Sequence, residues 1–216
     1  NWVNPIVVNG VAKSVNIQIA PGAESDAFTI YSPGEDAIVF GEGDFRAEAI
    51  EPPAAVEIDQ LTARFDQKID GTTAYQKLKS GGFEYGTTFQ GIQELYLSDI
   101  EALAKVHFDS ASTDLTYKPE ILDCAFQATM LLPGVLDQRM IPYSVDQIKV
   151  YQVPGNSVWC YVKRVGDVQG APNICQCDIE IYDEEGQLAI QVSGYNAITA
   201  KGEDAGYQTN LYEIGW

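Results

Sequence analysis

The sequence predicts an α+β fold in which an antiparallel sheet wraps one long buried helix. Three observations lead there. Residues 119–134, PEILDCAFQATMLLPG, are apolar almost throughout and are fenced by Pro119 at one end and Pro133-Gly134 at the other, as expected of a helix of about four turns. The segments after it, DQIKVYQV, SVWCYVKRV, CQCDIEIYD and QLAIQVSGYNAITA, place apolar residues at strand spacing. Further β-rich segments precede it, without a helix of comparable length.

In chain order, residues 1–50 read as strands. NPIVVNG, KSVNIQI, DAFTIYS and DAIVFGEGDFRAEAI carry β-branched and aromatic residues between NG, PG and SPGE turn signals. IEPPAAVE then breaks regular structure, because paired prolines withhold N–H donors and keep the backbone extended. From Ile58 to Gly82 the pattern is mixed, and TAYQKLKSGG fits a short helix closed by Gly81 and Gly82. TFQGIQELYLSD and EALAKVHFD return to strand character. Pro119 suits the first turn of the long helix, and Glu120 complements the positive end of its dipole. DEEG reads as a hairpin turn, and GEDAGYQTN as an exit loop.

Composition narrows the function classes. With 31 acidic residues against 13 basic ones, the net charge of -18 repels phosphate backbones and anionic lipid, which disfavours nucleic-acid and membrane-surface roles. No stretch approaches the roughly 20 apolar residues of a membrane span, and no charged-then-apolar signal segment opens the chain. Cys124, Cys160, Cys175 and Cys177 form no C-x-x-C pair and lie in apolar or strand-like contexts. They read as reduced core thiols of a cytoplasmic protein, with no metal site expected. A glycine-rich phosphate loop and a nucleophile elbow are both absent.

The long helix poses the chemical question. Asp123 and Gln127 are four residues apart and so share one face, while Ile121, Leu122, Ala125, Phe126, Met130, Leu131 and Leu132 cover the rest. A carboxyl group held in such surroundings loses hydration, which raises its pKa and suits it to act as an acid. The competing reading is an aspartate that caps a backbone donor near the helix start.

Four stretches carry a resemblance to a known family. YQKLKSGGFEYGTTFQG (75–91) is similar to a helix, glycine and Y-G-P-x-F-Q-G segment, with Thr87 where proline is usual. ILDCAFQ (121–127) matches an L-D-x-x-x-Q motif, and MIPYSVDQIKVY (140–151) resembles the L-P-F-S strand that follows it. YDEEGQLAIQVSGYNAITA and the closing NLYEIGW resemble a last hairpin and an L-Y-x-x-x-W exit. Together, over residues 73–216, they resemble the dehydratase domains of modular polyketide synthases, which fold as a double hot dog.

The resemblance implies a lyase that removes water from a β-hydroxyacyl chain carried on the phosphopantetheine arm of an acyl carrier protein, leaving an enoyl chain. No other cofactor is implied. Asp123 takes the role of acid, with Gln127 orienting it or the hydroxyl. Tyr85, Gly86 and Phe89 are expected near the acyl tunnel, where glycine permits close approach of a ligand; the alternative is a hairpin or bulge that needs Gly86 for its backbone angles. Pro142 and Tyr143 are candidate substrate contacts, or simply turn and core. The implied partners are the carrier protein, the neighbouring synthase domains and a second copy of the chain in a homodimer.

One expected part is missing. The family's H-x-x-x-G-x-x-x-x-P motif has no counterpart here, and the sole histidine, His107, lies in a strand pattern without the required glycine and proline. Residues 1–110 are therefore read as a partial N-terminal hot dog with linker, and 111–216 as the C-terminal hot dog. Two expectations follow: a fragment that lacks the catalytic base, or an inactive dehydratase-like domain that serves as scaffold or acyl holder. A hot-dog thioesterase is a more distant alternative.

Overall fold

The structure, a computed structural model, describes residues 1–8, 10, 12–109, 118–165 and 174–199. They form two compact units, Asn1–Ile50 and a second beginning at Glu51.

The first unit is a three-stranded antiparallel sheet in the order β1 (Asn16–Ala20), β2 (Asp26–Tyr31), β3 (Val39–Phe45). NPIVVNG does not add the strand its composition suggests; what pairs there is a single bridge from Trp2 to Gly41. Pro5 has no N–H for a ladder, and the amides of Val3 and Asn4 both converge on the Phe40 carbonyl, at 2.8 and 3.3 Å.

The second unit carries a short helix α1 (Ile58–Thr62), strand β4 (Gln67–Asp70) and helix α2 (Gly71–Ser80). Asp70 caps α2 by accepting from the Thr73 amide at 2.7 Å, and Gly81 closes it where the sequence places the stop. A 3-10 turn at Thr87–Phe89 replaces the expected start of a strand, and β5 follows at Ile92–Leu97, then β6 at Glu101–His107. Helix α3 runs Pro119–Met130. After it come β7 (Met140–Ser144), β8 (Gln147–Val150), β9 (Ser157–Arg164), β10 (Ile174–Tyr182) and β11 (Leu188–Thr199). The exit loop and NLYEIGW lie outside the described residues.

These strands make one eight-stranded antiparallel sheet in the order β4-β5-β6-β9-β10-β11-β7, with β8 also pairing β11. Its inner face follows from register. Ala102, Ala104 and Val106 stand opposite Val162, Cys160 and Val158, and Ile179 and Ile181 continue the same rows from β10. Every one of these side chains is buried. Helix α3 packs on β6, β9 and β10 through Ile121, Cys124, Ala125 and Ala128, all fully buried. Small residues at three of those four positions let the helix approach the pleat closely. A buried helix held in a curved antiparallel sheet is the hot-dog plan, so the fold class read from the sequence is the one observed.

Strand pairing links residues on the two sides of residue 110. Strand β6 pairs along its whole length with β9, from Glu101 against Lys163 to His107 against Ser157. That pairing places residues 67–107 in the same unit as α3, and the compact units separate at Ile50. Local patterns announce strands but not which distant strand they join.

Candidate active site

Asp123 lies on the second turn of α3, partly buried, with Gln127 one turn on and fully buried. The helix begins at Pro119 and its flanking Lys118 makes no side-chain cap, so Asp123 is inside the helix and caps nothing there. Instead Gln127 Nε2 donates to Asp123 Oδ2 at 2.6 Å. The same nitrogen donates to the Phe89 carbonyl at 2.9 Å, which uses its second proton. Gln127 Oε1 accepts from the Tyr75 hydroxyl at 3.1 Å.

The 3-10 turn brings Phe89 to this cluster by its backbone. Its carbonyl also lies 3.2 Å from the Tyr75 hydroxyl and 3.8 Å from Cys124 Sγ. The sequence placed Phe89 near the site as a residue, and the atom that bonds there is its carbonyl oxygen.

Burial sets the electrostatics. It pushes the Asp123 carboxyl up to about 6, against the opposing pull of the Gln127 hydrogen bond. No cation offsets the burial, and none of the causes of this shift is a positive side chain. The Tyr85 hydroxyl is pushed well up by burial first and by the nearby Asp123 charge second. Burial likewise raises Tyr75, and it pushes the Cys124 thiol up to about 12. Phe126 stacks on buried Tyr195 with ring centroids 4.6 Å apart, giving this part of the helix an apolar wall.

The remaining predicted residues divide. Tyr85 packs against the core, and its carbonyl accepts from Gln90 Nε2 at 2.6 Å. Gly86 is exposed at φ -68°, an ordinary backbone angle, and a Cβ there would meet nothing within 4 Å. Neither bulge nor turn geometry requires glycine at that position. Gly91 is the residue on this loop that crowding keeps small, since a Cβ on it would fall 2.3 Å from the Phe108 ring. Pro142 stands opposite Ala197 in the β7–β11 pairing, and Tyr143 is 51% exposed. No described hydrogen bond or ring contact joins either of them to Asp123.

A cavity of about 500 Å³ opens beside the cluster, with Tyr75, Phe83, Tyr85, Gln90 and Ile92 among its walls. It shares Tyr75 with the hydrogen-bonded group, but Asp123 is not part of its lining. His107 is elsewhere, on β6, with Nδ1 2.7 Å from Ser157 Oγ and Nε2 3.3 Å from Asp109. Among the described residues no group of histidine, cysteine and carboxylate side chains could hold a metal ion. All four cysteines are buried thiols without a disulfide.

What sequence reasoning missed is Tyr75. It heads the YQKLKSGG segment, at the buried edge of α2, and its hydroxyl accepts from the Ile92 amide at 3.0 Å while facing Gln127. The signal available was its place at the start of a motif quoted for other residues.

Comparisons with known proteins identify the family and the fold. A family model described as the polyketide synthase dehydratase N-terminal domain matches residues 53–204. Polyketide synthase PksN of Bacillus subtilis (strain 168) is 27% identical over 232 aligned residues, spanning 100% of this chain and 4% of that protein. PksL of the same organism is 25% identical over 236, again with 100% of this chain and 5% of that protein. The chain thus spans a small part of the curated relatives it matches. Among solved structures, the dehydratase domain from the CurJ module of curacin polyketide synthase superposes with TM-score 0.74 at 26% identity, covering 87% of this chain and 68% of that one. A trans-AT dehydratase domain from Brevibacillus brevis gives TM-score 0.81 at 22% identity, over 93% and 74% of the two chains, which speaks for the fold.

Proposed function

Because the chain belongs to the polyketide synthase dehydratase family, we propose that it supplies the acid of a β-hydroxyacyl dehydration, with Asp123 as the proton donor. The substrate is a β-hydroxyacyl chain on the phosphopantetheine arm of an acyl carrier protein. A base takes the α-proton, Asp123 protonates the departing β-hydroxyl, and the products are an enoyl chain and water.

The observation that carries this reading is the state of Asp123. A carboxyl group raised to about 6 by burial, with one oxygen held by an amide and no cation beside it, holds a transferable proton close to neutral pH. Displacing more water with a bound acyl chain raises it further. Gln127 holds Oδ2, so Oδ1 is the oxygen left to meet the substrate hydroxyl. Tyr85, close enough to feel the Asp123 charge, and the open space over Gly86 are the contacts proposed for the acyl chain.

His107 is bonded to Ser157 and Asp109 and takes no part in the cluster. The base in this reading is therefore a group other than His107. The neighbouring domains of a multidomain synthase are the other partners proposed, and the cytoplasm, where buried thiols such as Cys160 stay reduced, is the compartment.

The test is turnover of a carrier-bound β-hydroxyacyl substrate by the natural polypeptide that holds this chain. Asp123→Asn is expected to slow enoyl formation by about two to four orders of magnitude. Unchanged turnover removes Asp123 from the chemistry. If the natural polypeptide forms no enoyl product at all, the domain is an acyl-holding scaffold instead.

A further inference from the structure

We propose that Tyr75 is a positioning residue for the acid, acting through Gln127. The inference rests on the reading of Asp123 as proton donor and adds a residue to which the motifs assign no role.

The bonding at Gln127 permits one orientation. Its Nε2 faces two acceptors, Asp123 Oδ2 at 2.6 Å and the Phe89 carbonyl at 2.9 Å. Its Oε1 faces the Tyr75 hydroxyl at 3.1 Å. Tyr75 in turn accepts the Ile92 amide proton at 3.0 Å, so its own proton must point away from Ile92, toward Gln127 Oε1 or the Phe89 carbonyl at 3.2 Å. The Phe89 oxygen already receives the shorter bond from Gln127, which leaves Oε1 as the better acceptor.

Reversing the amide would set its oxygen against two other oxygens, and Tyr75 supplies the donor that makes the observed orientation the satisfied one. The result is a directed chain of bonds: the main-chain amide of Ile92, the tyrosine hydroxyl, the carboxamide, the carboxyl group. Gln127 is fully buried, so water cannot replace Tyr75 in this role.

Tyr75 and Gln127 are 52 residues apart in the chain and come from α2 and α3, so the chain of bonds also fixes one helix against the other. Tyr75 also lines the 500 Å³ cavity, so a ligand there would touch the residue that aims the acid.

The experiment reads Asp123 directly. In the folded chain labelled with 13C at aspartate side-chain carboxyls, the Asp123 signal is assigned by its loss in Asp123→Asn and titrated. Loss of an oriented donor to the ionised form raises a carboxyl pKa, so Tyr75→Phe is expected to lift the midpoint by about half a unit to one unit. Gln127→Met, which removes the donor itself, lifts it at least as far. In the Gln127→Met background, Tyr75→Phe adds nothing, because its effect runs through the amide.

Tyr75→Phe also strips the Ile92 amide of its acceptor. Site-specific 3-fluorotyrosine at position 75 therefore serves as the second variant: it keeps that acceptor, strengthens the donor and moves the midpoint down. A midpoint unmoved by both Tyr75 variants overturns the proposal, as does a Tyr75→Phe shift that persists in full beside Gln127→Met. The titration needs no turnover. Failure of Asp123 as the acid would appear only in the enoyl assay, so the two readings fail separately.

Discussion

The two faces of the sheet in the second unit treat carboxylates in opposite ways. On the helix side, Asp123 has an amide for company and apolar residues behind it, and its carboxyl rises to about 6. On the outer side, Glu94 meets Lys68 Nζ at 2.9 Å and the Tyr96 hydroxyl at 2.9 Å, and those bonds, Lys68 first, hold it below the usual carboxylate range. Glu101 is similarly engaged by both contacts of Arg64 at 2.9 Å and by Tyr161 at 2.6 Å. Glu94 is bonded so that it keeps its charge. The inner acid is placed where charge is costly, and proteins keep such a group where chemistry needs the proton.

The sharpest way to break this comparison is to remove the inner acid and measure stability. Asp123 has a folded pKa of about 6 against 3.8 for the ordinary carboxyl. The folded state therefore binds the proton more tightly. Stability is fullest below the unfolded value and falls as pH rises from about 4 through about 6. Asp123→Asn keeps an acceptor for Gln127 and abolishes the titration. It is expected to stabilise the chain at pH 8 by up to about 3 kcal/mol, since each pKa unit carries about 1.4 kcal/mol, and by almost nothing at pH 4. Urea unfolding at the two pH values measures it. A variant that is less stable at pH 8 would show the inner carboxylate to be a structural asset like its outer counterparts.

A second contrast lies between two glycines on the loop that reaches the inner face. Gly91 is buried, and Phe108 occupies the place of its missing Cβ, with a closest approach of 2.3 Å. Gly91→Ala must displace that ring and the strand start whose carbonyl accepts the His107 amide at 2.9 Å, and overpacking of this kind costs about 1–3 kcal/mol. Gly86→Ala meets open space at an ordinary backbone angle and leaves the melting temperature where it is. If Gly86→Ala nonetheless lowers turnover in the natural polypeptide, the space over Gly86 is occupied by substrate. Equal melting temperatures for the two variants would mean that Phe108 yields freely.

These residues also show how far the sequence could be read. Pro119, the apolar run behind it and the four-residue spacing of Asp123 and Gln127 made the central helix and its shared polar face legible, because both are local properties. The pairing of β6 with β9 was not legible, since it joins strands whose partners no local pattern names. The Y-G-P-x-F-Q-G pattern spans both Gly86 and Gly91 and does not tell them apart, because the ring that crowds Gly91 belongs to Phe108, a strand away. The Phe89 carbonyl and the Tyr75 hydroxyl escaped for the same reason. Their partners are set by tertiary contact, and a carbonyl has no letter in a sequence.

The smallest effect belongs to the outer face. Glu94 has a side chain 34% exposed and Lys68 one 50% exposed, so their ion pair is screened by water and salt. Glu94→Gln is expected to cost a few tenths to about 1 kcal/mol at pH 7 and low salt. The sign with pH is the reverse of that at Asp123: because the folded value lies below the ordinary 4.5, the contribution is present above that value and is lost as pH falls through the depressed one. Salt at about 1 M, where the screening length is near 3 Å, should remove most of it, and it should leave the Asp123→Asn effect largely in place because burial and not pairing causes that shift. Paired unfolding curves for the two variants at low and high salt make the measurement. Equal salt sensitivity would erase the distinction between the faces, and insensitivity of Asp123→Asn alone would locate the uncompensated carboxylate on the helix side.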